Sequence, residues 1–116
     1  YKTSHIIFSL LDNLKPHNEL ESLKTLSQCL KTDKPELIFY MISQRLRDLI
    51  KARDLGAKGL KTSPWQINKL IKQSSKFTLD KLTLLYNKLL IIDYEIKMGI
   101  SLMPLPWHLD LLLMDV

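Results

Sequence analysis

Cysteine occurs once in this 116-residue chain, at Cys29, so an internal disulfide and a cysteine-built metal site are both excluded. Histidine is nearly as scarce. His5, His17 and His108 lie far apart, and no pair has the i, i+4 spacing with which one helix holds a metal ion. Each reads as a surface or boundary side chain. Glycine is limited to Gly56, Gly59 and Gly99. Gly56-Ala57-Lys58-Gly59 is too short to cradle a phosphate, and no strand pattern precedes it. There is no Gly-x-Ser-x-Gly elbow, and Cys29 has no histidine near it in sequence. Apolar runs end after a few residues, far short of the roughly 20 that span a bilayer. No signal-peptide pattern is visible. These absences predict a protein with no catalytic constellation, no cofactor, no metal and no membrane segment.

What is present is enough for one core. Hydrophobic residues make up 46% of the chain, which argues against disorder. A chain of this size buries roughly 65% of its unfolded surface. Cys29, within Leu26-Ser27-Gln28-Cys29-Leu30, reads as a small core hydrophobe. A free thiol of this kind suits a cytoplasmic protein. The formal net charge of +5 permits nucleic-acid or acidic-protein partners. The basic residues read as scattered over all segments, as a solvated helical surface requires. A start at Tyr1 instead of Met is the pattern of a fragment, residues 1–116, of a longer protein.

Five prolines and three glycines divide the chain into six stretches with helical periodicity. The first, 4–14, places Ile7, Phe8, Leu11 and Leu14 on one face and ends at Lys15-Pro16. The second, 19–31, has Asn18 as its cap with Glu21 in capping-box position, and a stripe of Leu20, Leu23, Leu26 and Leu30. The third starts at Pro35, where a missing N–H costs nothing, and runs to Leu55 with Gly56 as its stop. Its apolar face is Leu37, Ile38, Met41, Ile42, Leu46, Leu49 and Ile50, and Arg45 and Arg47 lie on its wet side. The fourth opens with Ser63-Pro64-Trp65-Gln66, read as cap, first position, core anchor and box. The fifth runs from Thr78 to Met98 and the sixth from 106 to 114. No useful period-2 alternation and no long repeat occur. The fold class is therefore all-α: a single compact bundle of five or six antiparallel helices with short turns.

The fifth helix is apolar on most of its circumference. Leu79, Leu82, Leu85, Leu89, Ile92 and Ile96 form one face, while Leu84, Tyr86, Leu90, Ile91 and Tyr94 form others. Such a helix is either central to its own domain or shared with a partner, and the apolar sixth helix raises the same question. Asp93 and Lys97 have the i, i+4 order of a structural helix salt bridge. The connection 98–105 sets Ile100, Leu102 and Met103 beside Lys97, either packed back on the last helix or as an exposed wedge against a partner or a nucleic-acid end. The fourth helix carries Gln66, Asn68, Lys69 and Lys72, types that read base edges or hold phosphates. The turn at 56–62, however, is longer than a helix-turn-helix uses.

Several of these segments follow a known order. Phe8-x-Leu10-Leu11-Asp12-x-Leu14, then Leu23, Leu26, Leu30 and Pro35, then Leu46-Arg47-x-Leu49-Ile50, then Pro64-Trp65 before Lys69-Leu70 occur in sequence. Phe77-Thr78 and Leu82, then Asp93-x-x-x-Lys97-x-Gly99, complete the series. In order and spacing they resemble the C-terminal domain of the delta subunit of the bacterial DNA polymerase III clamp loader. The resemblance implies a collar-type helical domain that joins the loader's subunits in a circle. It also implies ATPase (gamma/tau-type) and delta-prime subunits as partners, no ATPase site, and primer-template DNA nearby. Contact with the sliding clamp would come only through N-terminal parts outside this chain. On this reading Arg45, Arg47, Tyr86 and Tyr94 are candidate subunit-interface residues, and Lys97, Ile100 and Met103 face DNA or a partner. The alternative is a stand-alone helical DNA-binding or regulatory domain.

Overall fold

The computed structural model describes residues 5–116. Six helices follow one another: α1 (His5–Asp12), α2 (Glu19–Thr32), α3 (Pro35–Leu55), α4 (Pro64–Ser74), α5 (Leu79–Lys97) and α6 (Leu105–Asp115). A single 3-10 turn, Gly56–Gly59, links α3 to α4. Ser4, the first residue of the expected first helix, lies outside the described residues.

The long α3 is the hub. At 1.5 Å per residue its 21 residues span about 31 Å, most of the molecule's 39 Å longest dimension. It packs against α1, α4, α5 and α6, while α2 closes the bundle between α1 and α6. Ile38, Ile42, Leu46 and Leu49 form its buried stripe and meet Leu82, Leu85 and Leu89 of α5, Ile7 and Leu10 of α1, and Leu109 of α6 in one core. Pro35 sits in the first turn of α3, and Gly56 ends the helix at φ 65°, in the left-handed region that glycine enters without steric cost.

Several faces differ from the sequence reading. On α1, Leu10 points into the core and Phe8 outward. On α2 the expected stripe holds at Leu23, Leu26 and Leu30, which pack on the core, but Leu20 is largely exposed, and Ser22, Thr25 and Cys29 are buried beside Leu26. The buried hydroxyls stay satisfied, Ser22 Oγ donating to the Asn13 carbonyl at 3.3 Å and Thr25 Oγ1 to the Glu21 carbonyl at 2.9 Å. Burial, and secondarily Asp33, pushes the Cys29 thiol up to about 11, so it remains an uncharged core group.

The expected capping box of α2 does not form. Asn18 makes no side-chain cap bond; its Nδ2 donates to the Asn13 carbonyl at 2.8 Å and braces the turn from α1. In that turn His17 adopts φ 64°. A side chain there is strained by roughly 1 kcal/mol. His17→Gly is therefore expected to raise stability by about 0.5 kcal/mol after the added entropy of the unfolded chain, seen as a rise of a few degrees in thermal unfolding.

Candidate functional site

The fifth helix starts where the Thr78 hydroxyl accepts the Lys81 backbone N–H at 3.1 Å, and stops before Gly99 at φ 70°. Leu82, Leu85 and Leu89 recur at 3–4 spacing and fill the face towards α3. Leu79 and Ile96, expected on that face, lie at its ends and remain exposed. Outside that face Leu84, Leu90, Ile91 and Tyr94 are about half-exposed or more, interspersed with polar residues such as Asn87, Lys88 and Glu95.

Two grooves flank this ridge. One, about 350 Å³, lies between α3 and α5 and is lined by Tyr40, Arg47, Tyr86, Leu90 and Lys97 among others. Arg47 Nη2 donates to the Tyr86 hydroxyl at 3.0 Å, and the guanidinium lies 5.9 Å from the ring centre. The hydrogen bond to Tyr86 raises the Arg47 pKa further above its ordinary value. The other groove, about 220 Å³, lies between α5 and α6 and brings Ile91 together with Leu111. Asp93 and Lys97 form their i, i+4 ion pair at 2.8 Å on the exposed surface.

The connection after α5 is both pinned and exposed. Ser101 Oγ donates to the Met103 carbonyl at 3.0 Å and lies 2.7 Å from His108 Nε2. His108 is thus buried beneath the loop, not at the surface as its lone position in the sequence suggested. The fully exposed Leu102 and the exposed Met98 and Ile100 project beyond the loop, while Met103 is half-buried.

Arg45 is drawn away from this region. Only 12% of its side chain is exposed, and Nη1 donates to Asp12 Oδ1 at 3.0 Å and to Gln73 Oε1 at 2.8 Å. Gln73, buried on α4, donates in turn to the Leu11 and Leu14 carbonyls at 2.8 and 2.9 Å. Sequence reading missed this residue, because a glutamine within a polar run gives no sign of burial.

Beside that network a cleft of about 390 Å³ opens between α1, α3 and α4, lined by Phe8, Met41, Gln44, Trp65 and Lys69 among others. Trp65 is 69% exposed, not the core anchor its place at a helix start suggested. The buried arc of α4 is set by Leu70, Gln73 and Ser74. At 100° per residue, Trp65 is turned about 140° from Leu70. The α4 cap forms on one side only. Ser63 Oγ accepts from the Gln66 N–H, but the Gln66 side chain accepts from Thr62 Oγ1 instead of closing a box. Lys69 Nζ lies 5.2 Å from the Trp65 ring centre and 2.8 Å from Asp12 Oδ2. A second groove of about 370 Å³ adjoins, sharing Asp48, Gln66 and Leu70 and adding Lys51 and Lys61. Together the two grooves are lined by four cations, Arg45, Lys51, Lys61 and Lys69, and one carboxylate, Asp48. Residues 51–76 hold seven lysines and arginines and a single carboxylate, Asp54, while the whole chain is net +5.

The order of these helices and motifs matches a family model described as DNA polymerase III delta subunit, C-terminal domain, over residues 4–115. The chain belongs to this delta-subunit family. The delta-family domain is similar to the DNA polymerase III subunit delta of Bacillus subtilis (strain 168), 26% identical over 103 residues that take in 80% of this chain and 30% of the relative. Its fold matches the Bacillus subtilis DNA clamp loader delta protein with a TM-score of 0.78 at 22% identity, covering 95% of this chain and 35% of that one. It thus spans about a third of the length of these relatives. Among its described residues no group of three or more metal-ligating side chains occurs, and no helix is long and apolar enough to cross a membrane. Two surface features stand out on the delta-family domain: the exposed apolar residues of α5 with the loop after it, and the cleft with Trp65 and Lys69.

Proposed function

We propose that this delta-family domain is a non-catalytic assembly domain, the C-terminal part of a longer clamp-loader subunit in the bacterial cytoplasm. Its α5–α6 ridge packs against the corresponding helical domains of the loader's ATPase and delta-prime subunits. It thereby keeps the loader together, collar-fashion, while the sliding clamp is handled by parts outside this chain. The observation that carries this reading is the uncovered ridge of Leu84, Leu90, Ile91 and Tyr94, continued by the Met98–Leu102 loop tips and by Trp107 and Leu111 on α6. Tyr86, Tyr94 and Arg47 are the side chains of the type that anchor interfaces. Lys97, Ile100 and Met103 extend the same margin. Arg45 takes no part in this surface, being bonded to Asp12 and Gln73 on the side of α1 and α4. The test is to mix this chain with the helical domains of those subunits and measure complex mass by light scattering. A heteromeric species is expected. Separate monomers at tens of micromolar would remove the assembly reading.

The cleft favours a second role for the same domain: holding the single-stranded or junction region of primer-template DNA. Exposed Trp65 beside Lys69, with Lys51 and Lys61 in the adjoining groove, joins a stacking surface to phosphate-binding cations. Trp65→Ala is expected to weaken binding of a fluorescent primer-template about tenfold in anisotropy titrations, with no loss of helix content, because the ring is exposed. An unchanged affinity would place DNA elsewhere.

A further inference from the structure

We infer that Asp12 is a built-in counter-ion that occupies the phosphate position of the α3–α4 cleft, and that a bound polynucleotide displaces it from Lys69. This inference rests on the cleft being the nucleic-acid surface proposed above. The two carboxylate oxygens are used separately. Oδ1 accepts from Arg45 Nη1 at 3.0 Å, and Oδ2 accepts from Lys69 Nζ at 2.8 Å. The cleft's cations are thus partly neutralised from within, by the acceptor chemistry a phosphate would bring.

The two partners respond differently to a competitor. Arg45 is nearly enclosed and keeps a second acceptor, Gln73 Oε1 at 2.8 Å, so it stays in place if Asp12 leaves. Lys69 is 39% exposed at the rim, and its other neighbour is the face of Trp65. Lys69 is therefore the cation that changes partner. Asp12 itself is held in an unfavourable place: it is the last residue of α1, where the partial negative charge of the helix end repels a carboxylate. Its two cations offset that repulsion, so loss of one loosens the residue.

The contact sets a threshold. A lone phosphate reaching Lys69 only replaces an ion pair that already exists. A polynucleotide gains in addition a base on Trp65 and further phosphates on Lys51 and Lys61. The domain is thereby selective for a polyanion carrying bases over small anions.

The test compares the chain with its Asp12→Asn variant, by anisotropy with a labelled primer-template bearing a single-stranded overhang, between 50 and 200 mM salt. The variant is expected to bind about fivefold more tightly, the scale on which an exposed ion pair competes, with a salt slope steeper by about one counterion. Equal or weaker binding by a variant that melts like the parent overturns the inference. Should the variant fail to fold, the carboxyl carbon resonance of Asp12 in the unaltered chain gives the answer. It is expected to shift when DNA saturates the domain and would refute displacement by staying fixed. If neither chain binds DNA at hundreds of micromolar, the nucleic-acid reading of the cleft falls, and the displacement with it.

Discussion

Replacing Gln73 by leucine is expected to lower folding stability by about 3 kcal/mol, although the two side chains are similar in volume. The amide holds three elements at once. Its Nε2 donates to the Leu11 and Leu14 carbonyls at the end of α1, and its Oε1 accepts from Arg45 of α3. Leucine leaves the Leu14 carbonyl without its side-chain donor, the Leu11 carbonyl with only the Leu14 N–H at 3.3 Å, and Arg45 with Asp12 alone. Each orphaned buried group costs about 1–3 kcal/mol, partly relieved where water reaches the cleft side. Domains of this size are stable by roughly 5–15 kcal/mol, so the loss is a large share of the total. Thermal unfolding should fall by about 10 °C or more. A shift under about 3 °C would mean that water substitutes for the amide. By contrast, the exposed pairs Lys88–Asp115 and Asp93–Lys97 each contribute well under 1 kcal/mol, and their removal should leave the melting curve nearly unchanged.

Ile91→Asp combined with Tyr94→Asp should abolish association with the neighbouring subunits while leaving the domain folded. Ile91 is 58% and Tyr94 59% exposed in the isolated chain, so carboxylates at these positions meet water, not core. In an assembled loader the same carboxylates would be enclosed against apolar side chains with no partner. A buried charge of that kind costs several kcal/mol, which corresponds to a loss of affinity of about 100-fold or more. Complex mass by light scattering reads the effect, and circular dichroism with thermal melting confirms that the helix is intact. A complex that survives the double substitution would move the interface off the α5 ridge. The α3–α5 groove around Arg47 and Tyr86 would then be the next surface to alter.

The two effects divide along the line between what local sequence encodes and what it does not. Helix limits were legible because a few residues act through their own backbone. Pro35 and Pro64 start helices, Gly56 and Gly99 end them at positive φ, and Ser63 accepts the N–H expected of a cap. The paired charges of Asp93 and Lys97 were legible for the same reason, since four residues along a helix bring side chains together. The exposed apolar ridge on α5 was half legible. Its abundance of leucine, isoleucine and tyrosine signalled more apolar surface than one core takes up, but not which arc would remain uncovered.

By itself, then, the sequence determined an all-α chain of five or six helices, most of their limits, one core, and membership of a family recognisable from motif order. Only the tertiary structure decided which arc of each helix faces inward: Leu10 over Phe8, Ser22 and Thr25 over Leu20, and the rotation that leaves Trp65 in the open. It also decided where charge gathers, joining Asp12 to Arg45 and Lys69 across 33 and 57 positions and Gln73 to Leu11 across 62. The physical reason is the reach of the interactions. Caps, turns and i, i+4 pairs act within a few residues and are written locally. A helix with apolar side chains on several sides has its rotation set by the neighbours it packs against, and those neighbours are chosen by the fold of the whole chain.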